Sequence, residues 1–449
     1  MSANKAAVLA ACAILLAAGS QRVLAQQKIS STDRDRAEEI LRDARDDVKK
    51  HYYDAKYHGN DLDARYKIYA DRIRQAQSLG EAFRDIAAYL SALQDSHTYM
   101  VPPERSSRFD YAVRFQLVGN SAYVTDLRPG SDAASKLHVG DQILGINGYA
   151  LNRKDFSDLS YFLYSLAPQT ALIMDLRDPA GNVRKETVQT RFQARKRIID
   201  EVGPESDASL WDYTRQEELA EHLLRERWYE VGDVMIWKMP EFEMDEGTIN
   251  DVFGRVRKHK TLILDLRGNP GGSVDVLERV VGFVFDHDVT IATRVARKPE
   301  KPEMAKSRGS DAFKGQLIVL IDSRSASAAE LFARVVQLER RGTVIGDLSA
   351  GAVMESRFYQ HQFEIPQAEG AVVIPYGTSV TDANLIMSDG KSLEGVGVTP
   401  DVIVLPSAAD LAADRDTVLS KAAELAGVKL DPAAAGKLFP FEWAPFSAE

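Results

Sequence analysis

The run Leu262-Ile263-Leu264-Asp265-Leu266-Arg267-Gly268-Asn269-Pro270-Gly271-Gly272 decides how the second half of this chain folds. A short, nearly continuous apolar stretch that stops at a cluster of Gly, Asn and Pro reads as a buried strand entering a tight turn. The amphipathic stretch Val274 to Phe285 then reads as a helix. Upstream, Val234 to Lys238 reads as a strand and the segment around Ile249 to Val256 as a helix. Downstream come a strand at Leu317 to Ile321, a helix at Ala328 to Leu338 and a strand at Thr343-Val344-Ile345. Strands alternating with helices need crossover connections, so the expected class is α/β, with a mostly parallel sheet flanked by helices.

The first half follows other rhythms. Between Thr32 and Asp54, apolar residues at Ala37, Ile40, Leu41, Ala44 and Val48 recur at helical spacing among many charges. A second helix carries Phe83, Ile86, Ala87, Leu90 and Leu93 and exits through Gln94-Asp95-Ser96-His97-Thr98. From about Phe109 to Gln193 short strands alternate with turn residues. Glu201 to Glu230 is charged and reads as a helical connector, and Asp410 to Ala426 reads as helix before a tail containing Pro and aromatic residues.

At 449 residues the chain exceeds one ordinary core, and about 150 residues per domain gives roughly three units. Its 45% apolar and 27% charged residues are those of a folded globular protein. Lys5, the apolar run Ala6 to Ala18 and Val23-Leu24-Ala25 read as an export leader cleaved after Ala25, giving a periplasmic or secreted location. The alternatives are an N-terminal anchor, for which the run falls short of the roughly 20 residues a spanning helix needs, and a lipoprotein-like reading of Cys12. Cleavage would remove the only cysteine, and with it disulfides, thiol chemistry and thiolate metal sites. It would also make the net charge of −10 more negative by two, through loss of Lys5 and Arg22. Such an acidic chain without Lys/Arg runs argues against nucleic acid or anionic membrane as partner. None of the eight histidines shows an H-E-x-x-H spacing, so metalloprotease chemistry has no support and no cofactor is expected.

Two segments carry the chemistry. Ser325-Ala326-Ser327-Ala328-Ala329-Glu330 stands between a buried strand and a helix, where free amides and the positive helix end can stabilise an oxyanion. Taken alone, either serine could simply cap the helix. The glycine-rich turn Gly268 to Gly272 lets backbone approach a substrate. It also fits a phosphate loop or a plain turn, although it lacks the Gly-Lys-Ser/Thr ending of a nucleotide P-loop.

Taken together, "D-L-R-x-N-x-G-G" at Asp265 to Gly272, "S-A-S-A-x-E" at Ser325 to Glu330, "V-I-G" at Val344 to Gly346 and "L-E-G-x-G-V-x-P-D" at Leu393 to Asp401 resemble the C-terminal-processing peptidases and their tricorn relatives, in that order. Pro129 to Leu137 and Val139 to Gly148 resemble a PDZ domain, a module that takes a peptide C-terminus as an added strand. The resemblance implies a crotonase-like layered catalytic domain at 231–410. Around it stand a helical region at 26–105, a PDZ-like β-rich domain at 106–195, a helical connector at 196–230, and a C-terminal helix and tail at 411–449. It implies Ser327 as nucleophile, the amides of Ala328 and of Gly271 or Gly272 as oxyanion donors, and Val113, Arg114 and Phe115 along the PDZ peptide groove. The lysine of the Ser-Lys branch would stand at position 352, which is Ala352, so that dyad is excluded at the expected place. The tricorn branch instead implies His97 as general base, with Ser96 and Glu394 completing the set. The implied reaction is hydrolysis of peptides or unfolded protein tails through an acyl-enzyme. The rival readings are a non-catalytic peptide or ligand binder, as the retinoid-binding relatives are, and a PDZ-led scaffold or chaperone.

Overall fold

The structure, a computed structural model, describes residues 29–105, 107–194, 225–367, 370–444 and 446. The segment read as an export leader (1–25) and residues 196–224 of the expected connector lie outside them. Among the described residues, no helix is long and apolar enough to cross a membrane.

The second half of the chain is built on a six-stranded sheet in the order Arg227–Val231, Val234–Lys238, Thr261–Asp265, Gln316–Ile321, Thr343–Gly346 and Val402–Ile403. The first pair is antiparallel and the others are parallel. Strand side chains alternate between faces. Trp237, Leu264, Val319 and Val344 therefore face one core with the helices Glu246–Val256, Val274–Val284 and Ala328–Leu338. Ile236, Ile263, Ile318 and Ile345 face a second core with Val418, Leu419 and Ala435. Burial on both faces is why these strands read as continuous apolar runs.

Three expectations are corrected. The end of the expected helical connector, from residue 227, belongs to an edge strand, Arg227–Val231, because Gly232, with φ of 56°, makes a tight hairpin that pairs Trp228 with Trp237. The C-terminal segment is not separate from the sheet domain, since its helices Thr417–Leu425 and Pro432–Gly436 cover the sheet's second face. The single helix expected from Asp410 to Ala426 is two, Ala408–Ala412 and Thr417–Leu425, broken where Asp414 adopts φ of 50° and Asp416 caps the second.

The helical region consists of Ser31–His51, Leu62–Gln75 and Leu79–Leu90, each begun by a Ser or Asp side chain accepting from a first-turn amide. A long hairpin, Met354–Gln367 with Gly370–Ile386, lies across it: Phe363, Tyr376 and Val380 share its core. Tyr376 donates to Asp43 at 2.6 Å and His361 bonds to Asp47 at 2.8 Å. The hairpin also pairs with Tyr99–Val101 just beyond His97, so it ties the helices to the sheet domain. The PDZ-like module is a separate sheet in the order Val113–Val118, Ser121–Leu127, Gln142–Ile146, Ala171–Arg177, Val183–Gln189.

Phe253 is fully buried, stacked on Phe283 at 4.5 Å and edge-on to Trp237 at 5.7 Å. Phe253→Ala should therefore lower the urea unfolding free energy of the sheet domain by about 3–5 kcal/mol.

Candidate active site

The two serines before the Ala328–Leu338 helix do different things. Ser325 is buried; its Oγ accepts from the Asp322 amide at 2.9 Å and donates to the Leu266 carbonyl at 2.8 Å. It binds the serine turn to the end of the strand that feeds the glycine turn. Ser327 instead sits at the helix N-cap with φ of 52° and ψ of −119°, a conformation that a non-glycine residue adopts only when its surroundings impose it.

The surroundings are specific. The Ser327 amide donates to the Ala352 carbonyl at 2.9 Å and to Glu330 Oε2 at 3.1 Å. Glu330 is fully buried. Its Oε1 accepts from Ser349 Oγ at 2.6 Å and the Gly351 amide at 2.8 Å, and its Oε2 also accepts from the Ala352 amide at 2.9 Å. Burial pushes this carboxyl up to about 7 against the pull of those four donors. Gly351 has φ of 72°, and a Cβ there would meet Gly397 N at 3.0 Å, so the loop needs glycine to lie against the 395–397 turn.

Residues 349–353 reach the other cluster through one more bond, from the Val353 amide to Glu394 Oε2 at 2.9 Å. Glu394 Oε1 accepts from the Ser96 amide at 2.7 Å and Oε2 from Ser96 Oγ at 2.9 Å. Ser96 Oγ lies 2.7 Å from His97 Nδ1. A hydroxyl has one proton, and Ser96 gives it to the carboxylate, so Nδ1 carries the hydrogen and Nε2 keeps its lone pair. Burial holds the imidazole below its ordinary pKa, with Asp95 pulling the other way. Asp95 Oδ1 fixes the turn by accepting from the amides of His97 (3.0 Å) and Thr98 (2.7 Å) and from Thr381 Oγ1 (2.8 Å). Burial raises Glu394, opposed by its bonds from Val353 and Ser96. The sequence-derived residues Ser96, His97 and Glu394 are thus one hydrogen-bonded set, joined through residues 352–353 to the backbone of Ser327. No hydrogen bond links Ser327 Oγ to His97.

Of the two glycines expected to donate to an oxyanion, Gly271 is excluded because its amide is committed to Asn269 Oδ1 at 2.8 Å. Its role is clearance: a Cβ there would stand 2.6 Å from the Ser327 Cβ. The amides of Gly272 and Ala328 make no hydrogen bond among the described residues. Glu330, Asp95 and Asn269 were not singled out from sequence. Of these, Glu330 and Asn269 each left a signal there, as letters of their motifs.

The expected peptide groove is corrected as well. Val113 and Phe115 point into the module core and Arg114 points out, 3.4 Å from Asp126. In the hairpin pairing Val118 with Ser121, alternation turns the backbone groups of Phe115 and Leu117 to the free edge. Those carbonyls already accept from Arg324 Nη2 and Ser323 Oγ, each at 2.7 Å. The edge where a peptide would add is therefore occupied by the segment leading to Ser327. Among the described residues, no group of His, Cys, Asp and Glu is placed to hold a metal ion.

Residues 233–404 match peptidase family S41, and residues 108–161 match the PDZ domain. The tail-specific protease of Haemophilus influenzae is 25% identical over 362 residues, which are 76% of this chain and 48% of that protein. The carboxy-terminal-processing protease of Bartonella bacilliformis is 30% identical over 167 residues, 35% of each. The chain thus spans half or less of the length of these two relatives. Among solved structures, mature CPAF superposes with a TM-score of 0.59 at 15% identity, over 85% of this chain and 95% of that one. The photosystem II D1 C-terminal processing protease gives 0.50 at 17%, over 90% and 99%. At these identities the likeness is one of fold.

Glu330→Gln replaces an acceptor with an amide group that faces donors. It should lower stability by about 1–3 kcal/mol and accelerate hydrogen exchange in residues 349–353, as thermal unfolding and exchange mass spectrometry would read.

Proposed function

From a chain that carries a peptidase family S41 domain behind a PDZ domain, we propose an exported serine endopeptidase or C-terminal-processing peptidase that acts on peptides or unfolded protein tails. The observation that carries this reading is the chain of bonds from Glu394 through Ser96 to His97 Nδ1, which leaves Nε2 as a base. In the proposed reaction Ser327 Oγ attacks the scissile carbonyl and His97 Nε2 takes its proton. The amides of Ala328 and Gly272 receive the developing oxyanion. His97 then protonates the leaving amine, and water enters by the same route to release the acyl group from Ser327. Oγ and Nε2 come within reach when substrate is bound, in keeping with the loose geometry of substrate-free sites. Glu394 and Ser96 act as positioning residues, holding the imidazole tautomer and orientation. Lysine at the alternative base position is absent, since Ala352 fills it.

The test is a fluorophosphonate reaction on the protein followed by peptide mass mapping, repeated in the presence of unfolded protein. An adduct on Ser327, formed about 10²–10⁴-fold more slowly in His97→Ala, is expected from loss of the base. An unlabelled Ser327 under both conditions overturns the reading in favour of a non-catalytic binder.

A pH profile gives a second check. The base must be neutral, and burial depresses its pKa. The acid limb of kcat/KM on a labelled unfolded protein should therefore have its midpoint below about 6.5, the ordinary histidine value. A limb centred above that value contradicts the assignment of His97. The same depression makes the stability contributed by neutral His97 full above the unfolded-state value and lost as pH falls through the folded one.

A further inference from the structure

The stretch Phe439-Pro440-Phe441-Glu442-Trp443, with Phe446 beyond it, takes no part in the site described above. It is held by arginines from two bodies. From the PDZ-like module, the guanidinium of Arg114 lies 4.2 Å from the Phe441 ring centre, Arg128 4.7 Å from Trp443 and Arg191 4.8 Å from Phe446. From the edge of the catalytic sheet, Arg225 pairs with both oxygens of Glu442 at 3.1 and 2.7 Å, and Arg227 donates to the Pro440 carbonyl at 3.0 Å. The Phe441 and Trp443 rings pack edge to face at 5.1 Å, which presents them as one unit.

Direct contacts between the two bodies are mainly hydrogen bonds, Gln116 to Asp322 at 2.7 Å, the Gly119 amide to Asp347 at 2.8 Å and Arg153 to Asp347 at 2.7 Å, beside small-residue packing of Gly140 on Ala412. Polar contacts of this kind between domains leave relative motion as the default. The tail adds what they lack, flat aromatic faces on guanidinium planes plus a two-point ion pair. Arg114 also belongs to the edge strand whose next residue, Phe115, accepts from Arg324. We propose that residues 439–444 with Phe446 are a strap, an aromatic peptide ligand for the arginine face Arg114–Arg128–Arg191, which fastens the PDZ-like module to the parallel sheet and keeps its free edge against Ser323 and Arg324.

Hydrogen exchange on the full chain tests this without reading catalysis, so its outcome is separate from that of the peptidase assignment. Trp443→Ala removes a ring from the arginine face, and Glu442→Gln weakens only the pair with Arg225. In both, exchange over residues 107–127 should accelerate, by roughly tenfold for Trp443→Ala, while Gln316–Ile321 stays protected. A synthetic peptide of residues 439–446 added to Trp443→Ala should restore the slow exchange, and Arg128→Ala in the same background should abolish that rescue. Unchanged exchange over 107–127, equal acceleration through 316–321, or no rescue by the peptide overturns the strap.

Discussion

The carboxylate of Glu330 is the constraint on which the site depends. It stands one helical turn beyond Ser327, fully buried, and receives four donors, one from Ser327 and three from the loop after the next strand. Burying a carboxyl without partners would cost several kcal/mol. The donors therefore have to be where they are, and the loop 349–353 has little freedom to lie elsewhere. That loop in turn supplies the carbonyl that binds the Ser327 amide and the amide that binds Glu394. One buried group thus sets the strained φ of Ser327 and the position of the loop on which Glu394 leans.

Layering explains why such a group can be buried at all. The parallel sheet is covered on both faces, by three helices on one side and by the C-terminal helices on the other. Its parallel strands end toward the same side, where Asp265, Ile321 and Gly346 release the chain into the three loops that make the candidate site. Ligand sites in open α/β sheets form at this carboxyl end, where loops from neighbouring strands meet. Gly346 shows how tight the meeting is: a Cβ there would come within 2.0 Å of the Ile321 carbonyl.

What the sequence made legible follows from the range of the forces involved. The parallel strands and the Ala328–Leu338 helix were readable because burial on two faces, or on one stripe, writes a local pattern. The Ser96, His97 and Glu394 set was reached through the family resemblance, and the structure assembles those three. The long hairpin at 354–386 was not read, because half of its surface is solvated and its partners lie far away in sequence. The strand at 227–231 was hidden by its charges, which an exposed edge tolerates as readily as a helix does. Commitments of single atoms were out of reach as well. Nothing in Asn269-Pro270-Gly271-Gly272 says that the first glycine amide is taken by the asparagine, or that the free edge at Phe115 and Leu117 is met by Ser323 and Arg324.

The alanine at 352 bears on the whole architecture. Its methyl group leaves Glu330 facing only neutral donors, and its backbone joins Ser327 on one side and Glu330 on the other. With no lysine at that position, the proposed base comes from outside the sheet domain: His97, 230 residues before Ser327, at the exit of a helix. Long-range delivery needs a rigid carrier. Here the carrier is the hairpin at 354–386, which starts two residues after Ala352, packs on the N-terminal helices and pairs with the strand that begins two residues after His97. The bond from Thr98 to Thr381 at 3.1 Å, buried beside Asp95, fixes where that strand meets the hairpin. The same stretch of backbone that lacks the lysine therefore leads directly into the element that positions the histidine.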